Sequence, residues 1–155
     1  MNIIPSSSFT ATNYRRLFAY HKNHITYNFP DSRFRKNLFK TQIERDAKNP
    51  NASFFFAREE KTDEIIGFLW LRLENDPYKD PRPYRYLDLH YIHVDPAWRS
   101  KGVGSGLMKF VMEYAKKKKC KEIRLGTHAQ NIHAQHLYGK FGFEPYRVIM
   151  RTLLS

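Results

Sequence analysis

The chain is poor in residues that cross-link or break up a fold. Of 155 residues only one, Cys120, is a cysteine, so no disulfide can close within the chain. That fits a reducing compartment, and a cytoplasmic location is the expectation. A lone thiol where a helix gives way to a strand reads as a buried filler rather than a nucleophile. No run of about 18 apolar residues exists, which argues against a membrane span. Met1 to Ser8 lacks a charged start followed by a long apolar stretch, so no secretory signal is visible. Acidic residues are scarce too: 15 Asp and Glu against 27 Lys and Arg leave a formal charge of +12. A chain so basic attracts polyanions, either nucleic acid or a small molecule with several phosphates. The run Lys116–Lys119 does not decide between them. It ends a helical stretch, where cations complement the dipole and solvate freely.

Repeats, low-complexity tracts and linkers are also absent. A chain this long, with 41% hydrophobic residues, is expected to form a single domain over residues 1–155. Apolar residues at helical spacing predict a helix over Thr10–Tyr27 and, after Pro30, a second from Asp31 to about Lys48. Ser53–Arg58 and Ile65–Leu73, joined by a turn at Lys61–Glu64, read as a hairpin whose second strand is buried on both faces. Asn75–Pro83 holds three prolines and reads as a loop. Tyr86–Val94 is a strand, with Leu87, Leu89 and Tyr91 alternating with Asp88, His90 and Ile92. Gly102–Lys119 is a long helix and Glu122–Thr127 a strand. A last helix carries Ala134, Leu137, Tyr138 and Phe141, and Phe143–Leu154 is expected as a closing strand.

Between the Tyr86–Val94 strand and the long helix lies Arg99-Ser100-Lys101-Gly102-Val103-Gly104-Ser105-Gly106. A helix start offers backbone N–H groups without partners and a dipole that favours negative charge. Glycine lets that backbone approach phosphate oxygens closely. The spacing excludes a P-loop, since no Gly-Lys-Ser/Thr follows a glycine at the required distance, and a dinucleotide fingerprint, since Leu107 stands where the third glycine belongs. Arg-x-x-Gly-x-Gly remains, which by itself reads either as a diphosphate grip of another kind or as a tight turn with glycines at a helix start.

The residues Val94-Asp95-Pro96, Trp98 to Gly104, Asn131, Ala134 and Leu137-Tyr138-Gly139-Lys140-Phe141-Gly142-Phe143, in this order and separation, resemble the GNAT superfamily of N-acetyltransferases. The resemblance covers roughly Ile65 to Leu153, well over half the chain. It implies an α/β (α+β) fold: a mixed, mostly antiparallel central sheet flanked by helices, with two splayed central strands. The family's first strand has only Asn2-Ile3-Ile4 available here, so it is expected to be short or missing. The resemblance also implies acetyl-CoA as cofactor and acetyl transfer to an amine.

The same resemblance implies site residues. The backbone of Ile92, His93 and Val94 would pair with the pantetheine amides, as a peptide adds to a sheet edge. Arg99, Ser100, Lys101, Gly102, Val103, Gly104 and Ser105 would wrap the diphosphate, largely through N–H groups. Asn131 matches a residue that hydrogen-bonds pantetheine, and it also suits a helix N-cap. Asp88, eleven positions before Arg99, stands where one branch of the family has its catalytic base. His90 matches a second catalytic position of another branch, so Asp88 and His90 are candidates for a water-mediated base or proton relay. Tyr138 matches the tyrosine near the thioester sulfur and is the candidate acid.

Two other functions compete with this one. A basic single-stranded nucleic-acid binder would use exposed aromatics such as Phe54–Phe56 with the lysine run. An acyl-CoA sensor would bind and not turn over. No metal is expected: His133 and His136 could chelate, but no fuller ligand set accompanies them. The acceptor is expected to be a small-molecule or peptide amine. Tyr14, Tyr20, Tyr27 and Phe34 lie among basic residues, which ranks polycations low. Nucleic acid and membrane are not expected partners. Relatives often pair, so a homodimer is compatible with the resemblance and the oligomeric state stays open.

Overall fold

The computed structural model describes residues 1–6, 17, 19, 22, 36–78, 84–150 and 152. Strands β1 (Asn2–Pro5), β2 (Ala52–Arg58), β3 (Ile65–Asp76), β4 (Tyr84–Val94) and β5 (Glu122–Leu125) form one sheet in the order β1-β2-β3-β4-β5. Neighbours are antiparallel except for the parallel pair β4–β5. The helices are α1 (Lys36–Ala47), α2 (Val103–Lys117) and α3 (Ile132–Gly139). A parallel pair needs a crossover, and α2 supplies it. The short first strand is present, paired along β2 from Asn2↔Arg58 to Pro5↔Phe55.

The two sheet faces bury separate clusters. On one, Val103, Leu107, Met108, Val111 and Ala115 of α2 meet Phe55, Leu69, Leu71, Leu87 and Leu89. Their recurrence at helical spacing is the apolar stripe of a helix lying on a sheet. On the other, Phe39 and Ile43 of α1 meet Phe54, Phe56, Phe68 and Trp70. Strand β3 feeds both clusters, so Ile65–Leu71 is buried on both faces. Phe54, Phe55 and Phe56 are all buried, so these three rings are not available for stacking on a nucleic acid. Leu17, Ala19 and Lys22 are helical, and Leu17 is fully buried. The rest of the expected first helix, the start of the second, and Tyr14, Tyr20, Tyr27 and Phe34 lie outside the described residues.

Three boundaries differ from expectation. β3 continues to Asp76, into the stretch read as a loop, because Asn75 and Asp76 find partners in Arg85 and Tyr84. β5 stops at Leu125 rather than Thr127. The expected strand from Phe143 is not formed over residues 143–150. Val148, Ile149 and Met150 there are 79%, 89% and 89% exposed. An apolar, β-favouring segment becomes a strand only against a partner. Residue 151 and residues 153–155 lie outside the described set. The chain leaves α3 through a turn instead: Gly142 takes φ 80° and Phe143 N–H donates to the Tyr138 carbonyl, as at a glycine-closed helix end.

Candidate active site

The glycine loop is fixed at its base. Asp95 N–H donates to the Ile66 carbonyl, 2.9 Å, and its carboxylate accepts from Ala97 N–H, 3.0 Å, capping the turn Pro96–Trp98. Ser100 and Gly102 then take positive φ, 58° and 81°. Alternation of the two hands turns successive N–H groups inward as an anion-binding nest. Gly102 is the N-cap of α2 and supplies no side-chain hydrogen bond, while the first backbone bond inside the helix is Gly106 N–H to Gly102 carbonyl. The N–H groups of Val103, Gly104 and Ser105 therefore have no acceptor within the helix. A Cβ on Gly102 would meet nothing within 4 Å, so the outer side of this turn is open. Lys101 lies over the Trp98 ring at 5.0 Å, and Arg99 Nε donates to the Val94 carbonyl, 3.3 Å.

The edge of β4 leads away from this nest. β5 pairs with Tyr86–Leu89, so among the described residues β4 has no strand partner on that side from His90 to Val94, and the two parallel strands part. Because Asp95 N–H points to β3, strand alternation turns the N–H groups of Ile92 and Val94 to the open side. His93 is the exception among the three expected cofactor contacts: its backbone faces Phe68 on β3, and its side chain is buried beside Tyr91.

The β3–β4 register shifts between Trp70 and Leu71, so Trp70 pairs with Tyr91 while Leu71 pairs with Leu89. His90 is the extra residue of this bulge. Alternation puts Asp88 and His90 on the α1 face, where His90 Nδ1 lies 3.3 Å from Asp88 Oδ2. The bulge brings Tyr91 onto that same face and turns Ile92 to the α2 side, the reverse of the expected alternation. Asp88 stands between two arginines across the strands, Arg72 on β3 and Arg124 on β5. Both are bonded to other carboxylates, Arg72 to Asp46 and Arg124 to Asp76 and Glu122. Desolvation opposes the Arg124 charge, but its hydrogen bonds to Asp76 and Glu122 outweigh this and push its pKa up.

α3 closes the opposite face. Asn131 accepts from Ala134 N–H, 3.3 Å, and caps the helix, so its amide N–H2 is the part left to meet a ligand. Leu137 and Val94 both reach Gly104, so the helix that carries Tyr138 packs against the start of α2 and the end of β4. Tyr138 is 8% exposed within the α2-side cluster. Burial pushes its pKa up to about 12, so the phenol stays protonated at neutral pH and keeps a hydrogen to donate. Cys120 has its pKa raised chiefly by burial, which suits a filler. Among the described residues no His, Cys, Asp and Glu group could hold a metal, and no helix is long and apolar enough to cross a membrane.

Sequence reasoning missed Trp70, Arg72, Arg124 and Asp46. Asp46 left a signal: Phe39, Ile43 and Asp46 follow helical spacing, which places a carboxylate on the apolar face of α1.

Comparison with known proteins shows the family and the fold. The model of the acetyltransferase (GNAT) family matches residues 14–143. The spermine/spermidine N(1)-acetyltransferase of Bacillus subtilis is 34% identical over 83 residues, 52% of this chain and 53% of that protein. The mycothiol acetyltransferase of Renibacterium salmoninarum is 29% identical over 94 residues, 60% of this chain and 27% of that protein. The chain thus spans between about a quarter and a half of the length of the curated relatives it matches. Among solved structures, the BH1408 protein of Bacillus halodurans superposes with a TM-score of 0.83 at 17% identity over all of both chains. AAC(6')-Iy in complex with the bisubstrate analog CoA-S-monomethyl-acetylneamine does so at 0.70 and 20%, over 99% of this chain and 98% of that one. At such identity these structures show a shared fold.

Proposed function

The chain belongs to the acetyltransferase (GNAT) family, and we propose that it is an acetyl-CoA-dependent N-acetyltransferase acting on a small-molecule primary amine by direct attack in a ternary complex. The observation that carries this reading is the juxtaposition of an uncapped N–H nest at Ser100–Ser105 and an open β4 edge at Ile92 and Val94, which meet at Gly104 together with the helix that carries Tyr138.

The residues present fit acetyl-CoA. The nest, with Arg99 and Lys101, suits a diphosphate; the N–H groups of Ile92 and Val94 and the Asn131 amide suit a pantetheine chain. When bound, the cofactor supplies an activated acetyl group on sulfur. The chain's own residues do the rest. An alkyl amine with a pKa near about 10 is protonated at neutral pH and cannot attack until it loses a proton. The Asp88–His90 pair accepts that proton, directly or through water. An N–H of the open β4 edge hydrogen-bonds the acetyl oxygen as charge develops there. Tyr138 donates to the departing sulfur. A phenol at about 12 is a poor proton source for a thiolate whose conjugate acid sits near about 8.5. Complete transfer is uphill by roughly 5 kcal/mol, so Tyr138 acts as a hydrogen-bond donor and solvent delivers the final proton.

The test is thiol release from acetyl-CoA across a panel of amines that includes polyamines and aminoglycosides. Polyamines belong there because the Bacillus subtilis relative is named for them, although the basic balance of this chain ranks polycations low. CoA-dependent thermal stabilisation without thiol release for any amine would identify a sensor. Absence of both would defeat the proposal.

A further inference from the structure

Asp46 is a buried carboxylate, 3% exposed, that the acetyl-transfer chemistry does not use. Its Oδ2 accepts from Trp70 Nε1 at 3.0 Å and from Arg72 Nε, and its Oδ1 accepts from Arg45 Nε at 3.2 Å. The indole therefore cannot swing without leaving a buried charge short of a donor, which is costly. Arg72 also lies against the indole, its Cζ 5.0 Å from the ring centroid. Trp70 in turn meets His90: the ring centroids are 4.4 Å apart with planes inclined at 68°. His90 is otherwise on the open side of the face, its side chain 32% exposed. It is the bulge residue, so no cross-strand partner of its own fixes the ring. Among the described residues it has two neighbours, the indole against the ring and the Asp88 carboxylate, whose Oδ2 lies 3.3 Å from Nδ1.

We propose that Trp70, anchored by the Asp46 carboxylate, is a positioning residue that holds the His90 imidazole in one plane and one tautomer, with Nδ1–H on Asp88 and Nε2 as the proton-accepting atom. The assignment rests on the acetyl-transfer reading of the Asp88–His90 pair. It divides the work of that pair. Asp88 accepts from Nδ1–H and sets the tautomer. The amine proton moves to Nε2, directly or through water, and Nδ1–H stays on Asp88. Such an orienting chain is what a general base needs if its lone pair is to meet one reacting proton. Arg72 and Arg124 flank Asp88 and are bonded to Asp46, Asp76 and Glu122, so the base pair sits among charges already committed elsewhere.

The experiment is long-range 15N–1H NMR of the imidazoles in the full chain without cofactor, with His90→Gln to assign the His90 signals. In the native protein the neutral imidazole is expected as the Nδ1–H tautomer, in excess by about tenfold. Trp70→Phe keeps an aromatic ring and loses the Nε1 anchor. It should cut that excess at least about threefold and lower kcat about tenfold, with KM for acetyl-CoA unchanged, as a misplaced group does. Asp46→Asn keeps an acceptor for Nε1 and loses the charge, and should move both readouts in the same direction by less. An unchanged tautomer ratio in Trp70→Phe overturns the proposal. If that variant does not fold, an unchanged ratio in Asp46→Asn overturns it. The spectra require no turnover. A tautomer bias lost in the variants of a protein that acetylates no amine would uphold the positioning role and defeat the acetyl-transfer reading alone.

Discussion

A Cβ placed on Gly104 would stand 3.2 Å from Leu137 Cδ2 and 3.8 Å from Val94 Cγ2. The helix that presents the N–H nest, the helix that carries Tyr138 and the open end of β4 therefore meet at one glycine. On the proposed reading, this contact joins the cofactor grip to the helix that carries Tyr138. Gly104→Val adds a branched side chain to this junction. It should destabilise the fold by about 1–3 kcal/mol, as overpacking does. The affinity for CoA should fall with it. Thermal unfolding with and without CoA reads both, and a CoA shift equal to that of the native protein would contradict the junction.

Gly102 poses a different constraint. Space is open around its Cβ direction, but φ is 81°, and an L-residue there costs about 1–2 kcal/mol. Gly102→Ala should lower stability by that amount and retain weakened CoA binding. Gly102→Glu adds a negative charge in front of the nest and should abolish binding. Calorimetric titration with CoA separates the two, and equal affinities would remove the nest from the cofactor site.

Tyr138 carries a signed pH prediction. Its phenol is held at about 12 by burial, against about 10 in an unfolded chain. The unfolded chain thus loses its proton first. The stability that this phenol contributes is complete below about pH 10 and is lost as pH rises through about 12. Tyr138→Phe cannot ionise, so its denaturation midpoint should fall less steeply over that window than the native one. The same variant should lower kcat about tenfold with little change in CoA affinity, since one transition-state donor is lost. Full activity would remove Tyr138 from the mechanism.

Asp88→Asn retains size and loses the carboxylate charge that faces His90 Nδ1. It should lower kcat by about a hundredfold with little change in CoA affinity. Full activity would remove Asp88 from the proton path.

Leu107 tests the fold apart from the chemistry. It is fully buried where α2 crosses the sheet. Leu107→Ala should cost about 2–5 kcal/mol, read by urea denaturation.

The order of local structure could be read directly from the residues, because each signal there is short-range. Glycine and turn residues set the loop after Trp98, an asparagine caps the last helix, and apolar spacing of three and four marks the long one. The nest and Tyr138 belong to that legible part, as does the buried hairpin of Ser53–Arg58 and Ile65–Leu73. Tertiary pairing decided the rest. Period-two alternation says which residues share a face but not where a partner slips by one, and that slip at Trp70 puts both His90 and Tyr91 opposite the same residue. Nor does alternation say where a partner ends, and the end of β5 at Leu125 is what opens the β4 edge. Asp46 became an anchor only because α1 lies across Trp70 and Arg72, residues 24 and 26 positions away in the chain. The apolar run after Phe143 forms no strand over its described residues because a ladder needs a second strand. Contacts near in sequence leave their mark on residue type, whereas register, strand ends and burial of a charge depend on which distant segments meet.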